Sequence, residues 1–269
     1  MTQIINSLWV GRSLSLMEQL SITSFLRNGH EYHLHCYNEI TNVPAGTIVR
    51  DAAEVLPASE IFYYRRGAGK GSAAAFSNLF RFKLLSEKGG WWADTDVVCL
   101  RRFDFPEPVV FASERTRTGT QAANAVIKLP QGHAVARLCY EAASREDRTK
   151  LTWGKIGPLL LDRIVCENGL QQFIKAPGVF CPLDHWEWKL LLSENSKPLA
   201  EVVMDESRAI HLWHEHWRRA GLELDPATGE HQSTRLFPRI RRGLGFGLKP
   251  AQNGTTPIAG LLRQFGLKK

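Results

Sequence analysis

The stretch Ala73–Phe103, AAAFSNLFRFKLLSEKGGWWADTDVVCLRRF, decides the architecture. Its first half is rich in Ala, Leu, Phe and Lys, which predicts a helix over 72–88. Gly89-Gly90 ends that helix, because glycine adopts the positive φ that helix C-termini often need. The following residues, 91–100, read as an apolar strand interrupted by Asp94-Thr95-Asp96. Towards the N-terminus, 4–10 reads as a strand. Residues 13–28 read as a helix capped by Ser13, with Leu16, Leu20, Ile22 and Phe25 near helical spacing and Asn28-Gly29 as the stop. Residues 32–37 alternate as a second strand, so the chain opens with a β-α-β unit, which implies a parallel pair and a right-handed crossover. Beyond a loop at 65–71, further strands are predicted at 109–112, 122–129 and 208–213, and helices at 133–144 and 156–168. The expected fold class is α/β: one domain over 1–234 with a Rossmann-like, mostly parallel sheet flanked by helices.

Composition limits the function classes. A chain of 269 residues that is 43% hydrophobic supports one sizeable core. No run approaches the ~18–20 apolar residues of a membrane span, and MTQIINSLWVGR lacks the pattern of a signal peptide, so a cytoplasmic location is expected. Five scattered cysteines, Cys36, Cys99, Cys139, Cys166 and Cys181, include no C-x-x-C pair and read as reduced core or near-core residues. The net charge of +7 is concentrated in 235–269, which holds eight Lys/Arg and no Asp or Glu. The remaining body is close to neutral, and no nucleic-acid motif accompanies the charge, so no nucleic-acid partner is expected.

Asp94 and Asp96 stand two apart, and a strand period of two would put both carboxylates on one face of the sheet. Two hard oxygen ligands so placed suit Mg²⁺ or Mn²⁺ with open positions for a diphosphate. The flanking GGWW and VVCL should bury the strand, and buried carboxylates are costly unless something binds them. Near the other end, HLWHEHW (211–217) is a second polar-aromatic cluster. His211 and Trp213 would face one way from a strand, which makes His211 the candidate third ligand, with His214 as rival. The zinc-protease pattern H-E-x-x-H fails there, because Arg218 stands where its second His belongs.

The stretch Ala73–Phe103 resembles the DXD-containing sugar transferases of glycosyltransferase family 32, and weaker resemblances follow in SLWVG, ANAVIKLPQGH, GKIGPLLL and AIHLWHEHW, together spanning about 4–217. The resemblance implies a GT-A fold, hexosyl or N-acetylhexosaminyl transfer from a nucleotide-sugar (a UDP-sugar), a divalent metal, Mn²⁺ or Mg²⁺, and retention of the α configuration. Carried onto this sequence, it makes Asp96 the direct metal ligand and Asp94 a contact to ribose, sugar and metal. Arg81 reaches the donor sugar, where its fixed positive fork also suits a pyrophosphate. Asn78, three residues earlier on the same helix face, stands where the family has Asp. Trp9 matches an aromatic residue packed on the donor base, Asn124 an amide at the donor sugar, and Gly157-Pro158 a pair near the acceptor side. Trp213 and Trp217 read as core or as walls of an acceptor groove.

Retention is compatible with a protein nucleophile or with front-face attack. Asp184 and Glu114 lie in suitable loops, yet no spacing singles out either, which favours the front-face route. Rival readings are a P-loop nucleotidase, a phosphatase using the D-x-D pair, and a basic membrane- or nucleic-acid-binding module. The loop fails as a P-loop, since Gly71 follows Lys70 where Ser or Thr is needed. Leu236, Phe237, Ile240, Leu244 and Phe246 among the tail's basic residues predict a peripheral hold on an anionic inner membrane face, where a glycan or lipid-linked acceptor would be met.

Overall fold

The computed structural model describes residues 3–193 and 201–222, so the basic tail lies outside the described residues. Its strands are β1 (Ile4–Trp9), β2 (Glu31–Cys36), β3 (Ile48–Asp51), β4 (Gly90–Ala93), β5 (Val97–Cys99), β6 (Val110–Thr116), β7 (Gly119–Leu129) and β8 (Ala209–His211). Its helices are α1 (Leu16–Arg27), α2 (Ala74–Lys88), α3 (Ala134–Ser144), α4 (Pro158–Glu167), α5 (Pro177–Phe180) and α6 (His214–Arg219). A six-stranded sheet runs β3-β2-β1-β4-β7-β6, and β5 and β8 form a separate antiparallel pair. The β3-β2, β2-β1 and β1-β4 ladders are parallel, whereas β4-β7 and β7-β6 are antiparallel. The chain therefore has the α/β architecture, with a mostly parallel sheet flanked by helices, that its opening β-α-β unit implies.

Alternation on β4 divides the interior. Trp91 joins one core with Phe103, Phe180 and the α1 residues Met17, Leu20 and Phe25. Trp92, one residue on, joins the other, with Phe76, Phe80 and Leu84 of α2 and the inner faces of α3 and α4. Helix α1 begins later than expected, because Ser15 rather than Ser13 is its cap. The Ser15 hydroxyl accepts from Met17 N, and Glu18 Oε2 accepts from Ser15 N, completing a capping box. The short strand β3 has no counterpart in the sequence reading. Its residues Val49, Arg50 and Asp51 are exposed, so no alternation marks it. Four cysteines are buried and free, but Cys166 is exposed on α4, outside the core expected for it.

The turn between α2 and β4 aims the D-x-D segment. Gly89 has φ +64 and its N–H donates to Leu85 O; Gly90 has φ +90. A Cβ on Gly89 would lie 2.3 Å from Gln131 N, against backbone that cannot step aside, whereas one on Gly90 would meet nothing closer than 3.7 Å. Gly89→Ala is therefore expected to cost about 3 kcal/mol in urea unfolding, and Gly90→Ala about 1–2 kcal/mol, from φ alone.

His35, buried on β2, has Nε2 3.1 Å from Asn6 Oδ1. Burial, reinforced by the positive charge of Lys88, pushes it down to about 3. The unfolded chain's histidine titrates near 6.5, so between pH 6.5 and 5 the unfolded state binds a proton the folded state refuses, and stability is lost as pH falls. Moving from pH 7 to pH 5 should shift the stability difference between the unmodified chain and His35→Gln against the unmodified chain by about 2 kcal/mol, read from urea midpoints at both pH values.

Candidate metal and donor site

Asp94-Thr95-Asp96 is a turn, not part of one strand. Val97 N donates to Asp94 O (3.0 Å) across it, and the chain passes there from β4 of the main sheet to β5 of the small one. The expectation that a strand pleat aligns the carboxylates is therefore corrected: a tight turn converges them. Their partners come from three directions. Asp94 Oδ1 accepts from Arg81 Nη2 (2.6 Å) and from Trp92 Nε1 (2.8 Å). Asp96 Oδ2 accepts from His214 N (2.9 Å) and stands 3.2 Å from His211 Nε2. Each carboxylate thus commits one oxygen to the protein, and Asp94 Oδ2 and Asp96 Oδ1 have no hydrogen-bond partner among the described residues.

His211 arrives through the small sheet, where it pairs with Val97, the residue after Asp96, while Leu212 N donates to Asp96 O (2.9 Å). The strand expected over 208–213 stops at His211, because Trp213 is left-handed (φ 58, ψ 48), the one non-glycine with positive φ among the described residues. Trp213 Nε1 donates to Leu183 O (3.0 Å), and its ring packs on His211 at 3.9 Å between centroids. Those contacts hold a conformation that a bulky residue otherwise avoids, and the bend turns His214 N towards Asp96. The rival ligand His214 turns its ring away instead, with Nδ1 3.1 Å from Oε1 of Glu18, a fully buried carboxylate of α1. One ligand atom each from Asp94, Asp96 and His211 lie within 4.8 Å of one another, the one such group among the described residues. Two carboxylates with free oxygens and an imidazole fit one divalent cation.

The electrostatics are those of a buried charge cluster. Burial raises Asp94, opposed by Arg81, and the same burial lowers Arg81, opposed by Asp94 and Asp96. Burial would also raise Asp96, but the charge and hydrogen bond of His211, with those of His214, hold it well below the carboxylate range. In return, against its own burial, His211 is lifted well above the ordinary histidine value by Asp96.

Arg81 links the metal ligands to the amides. Its Nη1 donates to Asn124 O, and its guanidinium lies 4.9 Å from the Trp92 ring centroid. The Asn124 carbonyl is available because the β6-β7 register slips after Phe111, which pairs with Ile127 while Ala112 pairs with Ala123. Asn124 Nδ2 donates to Asn78 Oδ1 (2.7 Å), and a Cβ on Gly157 would stand 2.5 Å from Asn78 Nδ2, so α4 closes on this amide pair only through glycine. Trp9 is half-buried at the end of β1, its Nε1 donating to Ser13 O (2.9 Å). Eight residues named from the sequence, Trp9, Asn78, Arg81, Asp94, Asp96, Asn124, His211 and Trp213, line one cleft of about 640 Å³, whereas Gly157 and Asp184 are not among its lining residues. Trp217 does not line it either: it is buried in the core beside Trp188.

Two contributors escaped the sequence reading. Trp92 could have been found, since on a strand it shares a face with Asp94. Glu18 could not, because only the fold brings α1 against His214. Arg81→Met should cost about 3 kcal/mol in chemical unfolding, because it strands the Asp94 carboxylate beside a buried apolar chain. Adding Asp94→Asn should recover part of that loss, a non-additivity that a double-mutant cycle measures.

Residues 26–115 match the family described as the glycosyltransferase sugar-binding region containing a DXD motif. Two solved structures overlap in part: a chain titled PaToxG glycosyltransferase, at 16% identity and TM-score 0.47 over 62% of this chain and 69% of that one, and a transferase carrying two Cys-to-Ser substitutions, at 9% and 0.43 over 65% and 91%. No protein of curated function matches the chain. The matched region takes in β2 to β5, α2 and the Asp94-Thr95-Asp96 turn, and this similarity supports an enzyme that transfers sugars.

Proposed function

We propose that the chain is a retaining, metal-dependent glycosyltransferase that moves an α-linked sugar from a UDP-sugar to a glycan or lipid-linked acceptor. The observation that carries this reading is the convergence of Asp94, Asp96 and His211 on one point of a cleft whose walls also present Arg81 and the Asn78-Asn124 amides. The mixed oxygen and nitrogen donor set suits Mn²⁺ better than Mg²⁺. When bound, the ion supplies Lewis-acid neutralisation of the charge that builds on a departing diphosphate.

The chain's own groups do the rest. Arg81, fixed on Asn124 O and on Asp94, holds Asp94 in one rotamer and presents a positive charge towards the donor. Asn78 Nδ2 and Asn124 Oδ1 remain as one donor and one acceptor for sugar hydroxyls, since the other half of each amide is used in their mutual hydrogen bond. Trp9 offers an indole fixed by Ser13 O as a wall for the base. Asp184 accepts from Arg115 Nη1 (3.0 Å) and caps a short 3₁₀ turn, which argues against it as a nucleophile. Glu114 lines the cleft and accepts from Gln121 Nε2 (2.7 Å). Front-face attack is favoured. The anomeric carbon's bond to the diphosphate oxygen breaks with its electron pair leaving on the phosphate; the acceptor oxygen bonds that carbon on the same face, and its proton passes to the leaving phosphate oxygen. The proposed membrane role of the tail rests on its basic and apolar sequence alone.

Full-length chain incubated with Mn²⁺ and a panel of UDP-sugars should release UDP slowly, and chelation should stop it. Asp96→Asn should fold with the same thermal midpoint to within a few degrees, yet lose at least about a hundredfold in turnover. Full turnover in that variant would overturn the site, and phosphate release from simple phosphoesters would favour the phosphatase instead.

A further inference from the structure

We propose that the mouth of the cleft is an acceptor subsite for an acidic saccharide, with Tyr63, Trp153 and Leu159 as the surface for the sugar rings and Arg65, Arg66 and Lys70 as its countercharge. This rests on the glycosyltransferase reading and names the acceptor class. Seven large apolar side chains are exposed among the described residues, and three of them, Tyr63 (49%), Trp153 (42%) and Leu159 (54%), line this one cleft. Such clustering of exposed apolar surface at a cleft marks a binding surface rather than chance exposure. Sugar rings combine apolar C–H faces with a rim of hydroxyls, and the polar side chains of Ser72 and Gln121 line the same cleft.

The platform is built before any ligand arrives. The Tyr64 ring lies 5.3 Å from that of Trp153, and the Arg219 guanidinium lies 4.6 Å from the Trp153 centroid. A Cβ on Gly69 would come within 2.6 Å of Trp153 and 2.8 Å of Tyr64, so the 65–71 loop rests on both rings only because it carries glycine there. The loop is closed at its neck, with Tyr64 N donating to Ser72 O (3.0 Å) and Gly71 N to Tyr64 O (2.9 Å). Arg218 Nη2 ties it to α6 through Lys70 O (3.1 Å).

Charge then selects the acceptor. Arg218 and Arg219 are engaged by Glu215, but Arg65, Arg66 and Lys70 are exposed and have no carboxylate partner among the described residues. Apart from the tail, the chain is nearly neutral, and this loop joins the cleft through Tyr64, Gly71 and Ser72, so its three cations add positive charge beside a cleft that Glu114 and Glu215 also line. Arginine forks fit carboxylates and phosphates, and acidic sugars carry such groups on the rings that the aromatic wall would hold.

The test uses the full chain and two probes of equal length, oligogalacturonate and its fully methyl-esterified form, followed by tryptophan fluorescence at low salt. The acid should bind at least about tenfold tighter, with the preference shrinking as salt approaches the concentration at which screening is short-ranged. The triple variant Arg65→Ser, Arg66→Ser, Lys70→Ser should lose the preference, and Trp153→Ala should weaken both probes. The tail is identical in all samples, so its contribution cancels in the comparison. Equal binding of acid and ester to the unmodified chain, a preference that survives the triple variant, or loop-dependent binding to phosphatidylglycerol vesicles without binding to the oligosaccharide would each overturn the proposal. UDP release by the unmodified chain without oligosaccharide tests the transferase reading separately: its absence would sink that reading whatever the binding result.

Discussion

Asp94 and Asp96 repel each other in a cleft that burial makes less able to screen them, and the surrounding structure is organised to make that repulsion tolerable. Arg81 and Trp92 hold one oxygen of Asp94; His211 and the His214 amide hold one oxygen of Asp96. A fully satisfied pair would be a structural ion cluster with nothing left to offer. Here the second oxygen of each lacks a partner among the described residues, so the cluster is stable enough to fold and incomplete enough to bind a cation. The opposite shifts of the two acids follow from the same arrangement: Asp94 is governed by its burial, whereas at Asp96 the field and hydrogen bond of His211, with those of His214, overcome it.

The division of partners also explains the topology. The carboxylate turn is the hinge between the two sheets, and each sheet supplies one set of supports. On the main-sheet side, β4 brings Trp92, α2 brings Arg81, and the slipped register of β7 exposes the Asn124 carbonyl that fixes Arg81. On the other side, the β5-β8 ladder sets His211 beside Asp96, and left-handed Trp213 redirects the chain so that a backbone amide reaches the same carboxylate. Strain at Trp213 is tolerated because its indole is hydrogen-bonded and its ring packed, the circumstance in which unfavourable backbone persists at functional sites.

Much of this was legible in the residues, for identifiable reasons. The helix, Gly89-Gly90 and the apolar strand are local features, and local propensity and turn chemistry carry them. Eight candidate residues could be named because their types and order resemble a known series, and the fold gathers these eight into one cleft. Misreadings arose where tertiary contacts overrule local pattern. The apolar flanks of Asp94-Thr95-Asp96 read as one strand, but β4 and β5 belong to different sheets and the acids occupy the turn between them. Ser13 looked like a cap, yet the capping box needs Glu18 three residues after the cap, which selects Ser15. Strand β3 is exposed, and Glu18 approaches His214 from a distant part of the sequence, so neither leaves a periodic signal.

The cleft is polarised from floor to lip, and that polarity constrains how it can work. The floor carries acids that need a cation, so anionic groups can settle there only once positive charge, from Arg81 and a bound ion, outweighs the carboxylates. The cleft also carries the exposed apolar side chains of Tyr63, Trp153 and Leu159, and the proposed acceptor role of the neighbouring 65–71 loop would bring anionic ligands there without any such condition. In the proposed reaction a diphosphate and an acidic acceptor would be drawn to the same mouth, but only the diphosphate would be held at the bottom, through a cation on Asp94, Asp96 and His211. Order within the cleft would follow from where each kind of charge is countered, with Gly157 packed against the Asn78-Asn124 amides at one end and Gly69 against Trp153 and Tyr64 at the other.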